Sequence, residues 1–275
     1  MVKPLCKICL LFLFCALFIS GCNNDLLGLI TSTDISVRLK ERDNFVFLGE
    51  SERNPSFGEE YSFIVLSDTH IENGDAWNLE DLRNVIEQSN GEIKFVAFTG
   101  DITQNGDKKD VDKFIDVARS FGVPCYPVIG NHDIFFGNFS VWKEKIGSTC
   151  YRINADGTTL FILDSANAIF GKEQIDWLER ELTSAHGRVF VFSHSNFFVK
   201  SPTDIQQHSD INERGRVVSL LRNKCDIMFM GHSHKRIINE AGGVLFINNE
   251  DFVNHRAYCV VSVKKDGISY KFEKL

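Results

Sequence analysis

The sequence predicts an α/β fold of two stacked, mixed β-sheets flanked by helices, and three patterns along its 275 residues predict it. Apolar runs about four residues long recur from Phe63 to Met230, too short for helices and bounded by turn residues. Between them lie stretches whose apolar residues repeat every three to four positions, the spacing of one helix face. After residue 243 the runs follow one another with no helical stretch between them. The alternating part implies mainly parallel strands joined by crossover helices, and the tail implies antiparallel additions. Composition agrees: 43% hydrophobic and 24% charged residues are ordinary for a globular protein, and 24 Phe suit a large core in β-rich layers.

The chain opens on a different material. Lys3 and Lys7 form a short positive region, followed by a twelve-residue apolar run from Ile8 to Ile19. Such a run is too short to cross a hydrocarbon core of about 30 Å as a helix but suits the apolar region of a signal peptide. Ile19-Ser20-Gly21-Cys22 then resembles the bacterial lipobox. In that reading residues 1–21 are a lipoprotein signal peptide and Cys22 carries the lipid. The domain is then exported and anchored at a membrane surface, on the periplasmic side or the cell surface. Asn23 in place of Asp resembles outer-membrane lipoproteins of Gram-negative bacteria. The alternative is a plain secretory signal in which Cys22 is incidental.

Residues 1–21 hold two Lys and no acid, so their removal takes the formal charge from −7 to −9. That balance signals neither a basic nucleic-acid-binding face nor a polybasic membrane patch, so the lipid would have to be the anchor. No protein partner is indicated. Cys6, Cys9 and Cys15 leave with the signal; Cys125, Cys150, Cys225 and Cys259 remain, each in or beside an apolar stretch. An exported compartment permits disulfides, but burial as free thiols is the expectation for cysteines in such settings.

Residues 22–57 read as a lipid-anchored tether and an accessory segment, with Phe45–Leu48 as a candidate strand and 50–60 as a loop. The main domain is expected over 58–275. Its strand candidates are Phe63–Leu66, Phe95–Phe98, Tyr126–Ile129, Leu160–Leu163, Val189–Phe192 and Ile227–Met230, with Val244–Ile247, Tyr258–Val263 and Ile268–Phe272 in the tail. Helix faces are Leu79, Leu82, Val85 and Ile86; Val111, Phe114, Ile115 and Ala118; Ile175, Leu178 and Leu182; and Val217, Val218, Leu220 and Leu221.

Polar clusters interrupt this pattern after five strands: Asp68-Thr69-His70, Gly100-Asp101, Gly130-Asn131-His132-Asp133, His194, and Gly231-His232-Ser233-His234. Ligands bind at the carboxyl ends of strands in open α/β sheets, so these side chains are expected to converge on one edge of one sheet. Imidazole, carboxylate and amide donors together suit Mn, Fe, Zn or Ni better than Ca or Mg. A carboxylate can bridge two ions, and a pair about 3.5–4 Å apart can clamp both oxygens of a displacement at phosphorus. Glycines before Asp101, Asn131 and His232 let the backbone turn off the strand sharply. Each histidine alone reads more simply as a core or surface residue, as do His186, His208 and His255; the set in this order does not.

The motif order Asp-x-His, Gly-Asp, Gly-Asn-His-Asp, His, Gly-His-x-His resembles that of the calcineurin-like metallophosphoesterase superfamily, nearest its cyclic-nucleotide-phosphodiesterase-like branch. The resemblance runs from about Tyr61 to the last strand. It implies a four-layer α/β/β/α sandwich and two divalent ions. Carried over by position, Asp68, His70 and His234 would hold one ion, and Asn131, His194 and His232 the other, with Asp101 between them. A hydroxide bridging the ions would attack phosphorus, with His132 protonating the leaving oxygen and Asp133 orienting a neighbour. The substrate is expected to be a small phosphate ester.

Departures from the family pattern matter. Gln104 stands where purple acid phosphatases carry a tyrosine ligand, which argues against an Fe(III)–tyrosinate centre. Ser195 and Asn196 follow His194 where many relatives have His-Pro. Residues 134–136, Phe139, Trp142, 196–198 and Lys200 follow or neighbour the motifs. Their aromatics either form a rim around the substrate or complete the core below the loops. A member of this fold that had lost its ions would act as a protein-binding lipoprotein; such members lack the histidine acid or several ligands, whereas this chain keeps all eight positions.

Overall fold

A computed structural model describes residues 32–198 and 207–275. The expected leader, Cys22 and Lys200 lie outside the described residues. Among these, the strands in chain order are β1 (Tyr61–Leu66), β2 (Ile93–Thr99), β3 (Cys125–Val128), β4 (Tyr151–Ala155), β5 (Thr158–Ile162), β6 (Arg188–Phe192), β7 (Ile227–Met230), β8 (Ile237–Ala241), β9 (Val244–Asn248), β10 (Ala257–Lys264) and β11 (Gly267–Lys274).

They form two mixed sheets. The first is ordered β11-β10-β1-β2-β3 and the second β4-β5-β6-β7-β9-β8. Within the first, β1, β2 and β3 are parallel and the tail strands β10 and β11 antiparallel. Within the second, β5, β6, β7 and β9 are parallel, with β4 and β8 as antiparallel edges. Alternation along each strand sorts the layers. Phe190 and Phe192 join the core shared with the first sheet, whereas Val189 and Val191 join the cluster on the opposite face. Phe63 of β1 stacks on Phe95 at 4.5 Å and meets Phe190 edge-on at 4.9 Å and Phe229 at 6.0 Å. Phe63, Phe95, Phe190, Phe192 and Phe229 thus fill the space between the sheets, where edge-to-face rings pack well.

Helices close both outer faces. Lys108–Ser120 lays Val111, Phe114, Val117 and Ala118 on the first sheet, with Phe114 edge-on to Phe98 at 5.1 Å. Lys172–Glu181 and Ile211–Leu221 cover the second, where Trp177 meets Phe161 at 6.0 Å. The segment expected as tether and accessory is, from residue 32 on, packed onto both cores. Ile35 and Leu39 join the outer cluster of the second sheet; Phe47, Leu48 and Phe57 join the main core.

Some elements differ from the sequence reading. Phe45–Leu48 forms no strand: Val46 and Phe47 N–H both donate to the Ile146 carbonyl, and one isolated bridge joins Phe45 to Gly147. The edge strands β4 and β8 were not expected, although Asp156-Gly157 and Gly242-Gly243 at their turns are hairpin signals. Phe139–Lys145 is a helix that buries Phe139 and Trp142. Cys125, Cys150, Cys225 and Cys259 are free and buried. No helix of the described residues is long and apolar enough to cross a membrane.

Candidate active site

The five polar clusters stand at the carboxyl ends of β1, β2, β3, β6 and β7. The expectation of one edge of one sheet is corrected: three clusters leave the first sheet and two the second. The sheets are stacked with those ends together, so the site straddles both, and its two halves are built on different sheets.

The backbone there is held in unusual conformations. Asp68, His70, Asp101, His232 and His234 all have positive φ, between 43° and 71°. Each such non-glycine residue costs about 1–3 kcal/mol and persists only where the surroundings over-determine it. Here neighbouring loops do so: Asp68 N–H donates to the Gly100 carbonyl at 3.0 Å, His70 N–H to the Asp101 carbonyl at 3.0 Å, and Gly231 N–H to the His194 carbonyl at 2.9 Å. Glycine is required at Gly100, where φ is +91° and a Cβ would overlap the His194 ring. It is required at Gly231, where a Cβ would overlap Ser67 Oγ.

All seven expected ligand side chains come together. His234 Nε2 is 3.3 Å from Asp68 Oδ1 and 3.3 Å from His70 Nε2. His194 Nε2 lies 3.0 Å from Asn131 Oδ1, 3.2 Å from Asp101 Oδ2 and 3.2 Å from His232 Nδ1. Asp101 Oδ2 is also 4.0 Å from the Nε2 atoms of His70 and His132. Ring nitrogens and carboxylate oxygens therefore face one another in three overlapping groups, Asp68–His70–His234, His70–Asp101–His132 and Asp101–His194–His232. Asp68 Oδ1 is buried without a hydrogen-bond donor. Lone pairs converging in this way repel unless cations lie between them, so the donor set fits a pair of metal ions.

Electrostatics divides the cluster. Burial pushes the Asp68 carboxyl up, but the His234 and His194 rings outweigh it and hold the group at about 2. Asp101 is likewise held well below its ordinary value by His194 and His132 against the effect of burial. Burial lowers His70 and His232 to about 4. Burial also acts against the charged forms of His194 and His234, but Asp101 and Asp68 respectively raise them to about 9. The two carboxylates are thus kept ionised, and their charge favours cations in both halves of the site.

Ring orientation is fixed from behind. His194 Nδ1–H donates to the Thr99 carbonyl at 2.8 Å, leaving Nε2 for the centre. His132 Nδ1–H donates to the Gln104 carbonyl at 2.8 Å, and its ring lies on Phe135 at 4.4 Å. His132 N–H donates to Asp101 Oδ1 at 2.9 Å. Asp133 does not reach the centre. It accepts from Thr103 N–H and Oγ, Ile102 N–H and Gly130 N–H, tying the Asp101 loop to its own turn. Burial, aided by the nearby charge of Asp101, pushes its carboxyl up to about 6.

The sequence reading did not single out Asp251 or Ser165. Buried Asp251 places Oδ2 3.9 Å from His234 Nδ1 and caps the turn Phe252–His255. Phe252 and Val253 N–H of that turn donate to the carbonyls of Ser67 and Asp68. A capping signal, Asp before a short apolar stretch, was available at Asp251; Ser165 carried none. The aromatic rim resolves unevenly. Ile134, Phe135, Phe139, Trp142, Asn196 and Phe197 are buried, Phe198 is partly buried, and Phe136 is 39% exposed.

A family model described as calcineurin-like phosphoesterase matches residues 61–236, which hold all five clusters. The chain belongs to the calcineurin-like phosphoesterase family. Residues 61–236 therefore form a calcineurin-like phosphoesterase domain, and its clustered donor groups could hold metal ions. The chain is 29% identical over 139 residues to a probable cyclic nucleotide phosphodiesterase of Fibrobacter succinogenes, covering 47% of this chain and 54% of the relative. It is 28% identical over 202 residues to a probable glycerophosphodiester phosphodiesterase GpdQ of Arcobacter nitrofigilis, covering 62% and 71%. The chain thus spans about half the length of the first curated relative. Among solved structures, a dimetal phosphatase from Danio rerio superposes with a TM-score of 0.63 at 16% identity, covering 77% of this chain and 95% of the other, a likeness of fold.

Proposed function

We propose that this chain hydrolyses small phosphodiesters with two divalent ions, Mn, Fe, Zn or Ni, at the junction of its two sheets. The observation that carries the reading is the convergence of seven candidate ligand side chains in overlapping groups linked through His70 and Asp101. In this reading Asp68, His70 and His234 hold one ion, Asn131, His194 and His232 the other, and Asp101 both. Bound there, the ions supply Lewis acidity at the phosphoryl oxygens and a water of lowered pKa as nucleophile. The protein residues do the rest. The Gln104 carbonyl keeps the proton on His132 Nδ1 and leaves Nε2, 4.0 Å from Asp101 Oδ2, turned to the centre. In its imidazolium form, with Nε2 protonated as well, the ring would hand that second proton to the leaving oxygen and end as the neutral Nδ1–H tautomer. Asp133 holds the two loops carrying Asp101 and His132 in register and is a positioning residue.

A diester is favoured by the names of the two curated relatives, both probable phosphodiesterases. The proposal extends to a membrane surface through lipid on Cys22, on the strength of Ser20-Gly21-Cys22 after the apolar run.

The test is turnover of bis-p-nitrophenyl phosphate against p-nitrophenyl phosphate with each of the four metals. The diester should be the better substrate by kcat/KM. His132→Ala should lose roughly 10²–10⁴ in rate toward a poor leaving group and much less toward p-nitrophenolate. Two bound ions with no turnover of either ester would favour the protein-binding alternative. Cys22→Ser should shift the protein from the membrane to the soluble exported fraction; unchanged partition sinks the anchor.

A further inference from the structure

The segment ahead of the phosphoesterase match buries a charge. Arg38 is 0% exposed and forms a bidentate pair with Asp164, Nε to Oδ2 at 2.8 Å and Nη2 to Oδ1 at 2.7 Å. Its Nη1 donates to Asn167 Oδ1 at 2.7 Å and to the Thr33 carbonyl. Ile35 and Leu39, on the same short segment as Arg38, join the outer core cluster together with Phe161, Leu163 and Phe170. Burying two ions costs several kcal/mol each before their attraction offsets it, so such a pair is weak as a source of stability. It is strong as a constraint, because its planar fork admits one geometry.

What the pair constrains is the loop after β5. Gln174 fixes the Asp164 backbone from the other side, accepting from its N–H at 2.8 Å and donating to its carbonyl at 2.7 Å. The next residue, Ser165, grips the loop of His194. Ser165 Oγ accepts from His194 N–H at 3.1 Å and Ser195 N–H at 2.9 Å, and shares a hydrogen bond with Ser193 Oγ at 2.8 Å. Ser195 Oγ donates to the Ser165 carbonyl at 2.8 Å. Arg38, Asp164, Ser165 and His194 are all 0% exposed, so water competes at no link of this chain.

We propose that Arg38 is a positioning residue for His194, acting through Asp164 and Ser165, so that the N-terminal segment is part of the framework of the active site. The inference rests on the reading of His194 as a metal ligand and goes beyond it, because Arg38 lies outside the matched family region. Without the guanidinium, Asp164 is a bare buried carboxylate that must move toward water. Ser165 moves with it, and the backbone N–H groups of His194 and Ser195 each lose their anchor.

The test is Mn²⁺ titration of the purified protein by calorimetry after chelation, with urea unfolding alongside. Arg38→Ala leaves that bare carboxylate and can cost the fold, so Arg38→Lys and Ser165→Ala carry the experiment. Each should weaken one of the two Mn²⁺ sites about tenfold and leave the other unchanged, the size expected when support behind a ligand is removed. The double variant should lose no more than the larger single loss, because the contacts act in series. The proposal is overturned if Arg38→Lys lowers stability while both affinities stay at wild type. It is equally overturned by additive losses of about a hundredfold in the double variant. Failure of the two-metal reading itself would appear differently, as fewer than two Mn²⁺ sites in the unsubstituted protein.

Discussion

Gly100→Ala tests the packing of the two halves of the site most directly. Gly100 leaves β2 with φ of +91°, and an added Cβ would overlap the His194 ring. The ring has nowhere to go: His194 is 0% exposed and its Nδ1–H is bonded to the Thr99 carbonyl. A side chain in left-handed backbone costs about 1–2 kcal/mol. Overpacking adds about 1–3 kcal/mol, and the lost hydrogen bond about 0.5–1.5 kcal/mol. The total destabilisation is therefore about 3–6 kcal/mol, equivalent to a fall of roughly 10 °C in unfolding temperature. Because the displaced ring belongs to the Asn131–His194–His232 group, binding should drop from two ions to one. Calorimetric Mn²⁺ titration and thermal unfolding read both effects. A variant that keeps two sites at wild-type affinity and unfolds within about 2 °C of wild type refutes the reasoning.

Three further outcomes are expected. Asp251→Asn keeps a side chain able to cap Phe252–His255 but removes the charge 3.9 Å from His234 Nδ1, so the Asp68–His70–His234 site should bind Mn²⁺ about 10–100-fold more weakly; unchanged affinity at both sites contradicts this. Phe136→Ala should raise KM for bis-p-nitrophenyl phosphate with little change in stability, because that ring is 39% exposed. Phe135→Ala, which removes a buried ring packed on His132, should cost about 3–5 kcal/mol of stability; equal effects from the two variants remove the idea of a rim at Phe136. Burial lowers the His208 ring below its ordinary value despite its partner Glu213, with Arg214 adding to the shift and Asp210 opposing it. A histidine with a depressed folded pKa binds its proton more readily when unfolded, so its contribution is intact above pH ~6.5 and is lost as pH falls below it. His208→Phe should flatten the urea-unfolding free energy as pH falls below about 6.5; superimposable profiles for the two proteins would refute the assignment.

Much of this protein is legible in the residue order. The five clusters announced the site because each combines a glycine with His, Asp or Asn just after an apolar run, a pattern set by local backbone chemistry. The strand and helix candidates of the domain were legible for the same reason, since periodicity of two or 3.6 is a local property. Edge strands β4 and β8 were less so: Tyr151 and Ile153 point inward while Arg152 and Asn154 face outward, and half of each edge strand reads as loop.

Tertiary structure alone decided the rest. That the ligands come from two sheets depends on which strands pair, and pairing is set by contacts far apart in sequence, such as Val65 with Cys259. The supports behind the rings are the carbonyls of Thr99 and Gln104, and every residue type offers a carbonyl. Arg38 is the sharpest case. In sequence it is one more cation in a polar stretch. Only folding brings it against Asp164, 126 residues away, and excludes the water that would otherwise have solvated it.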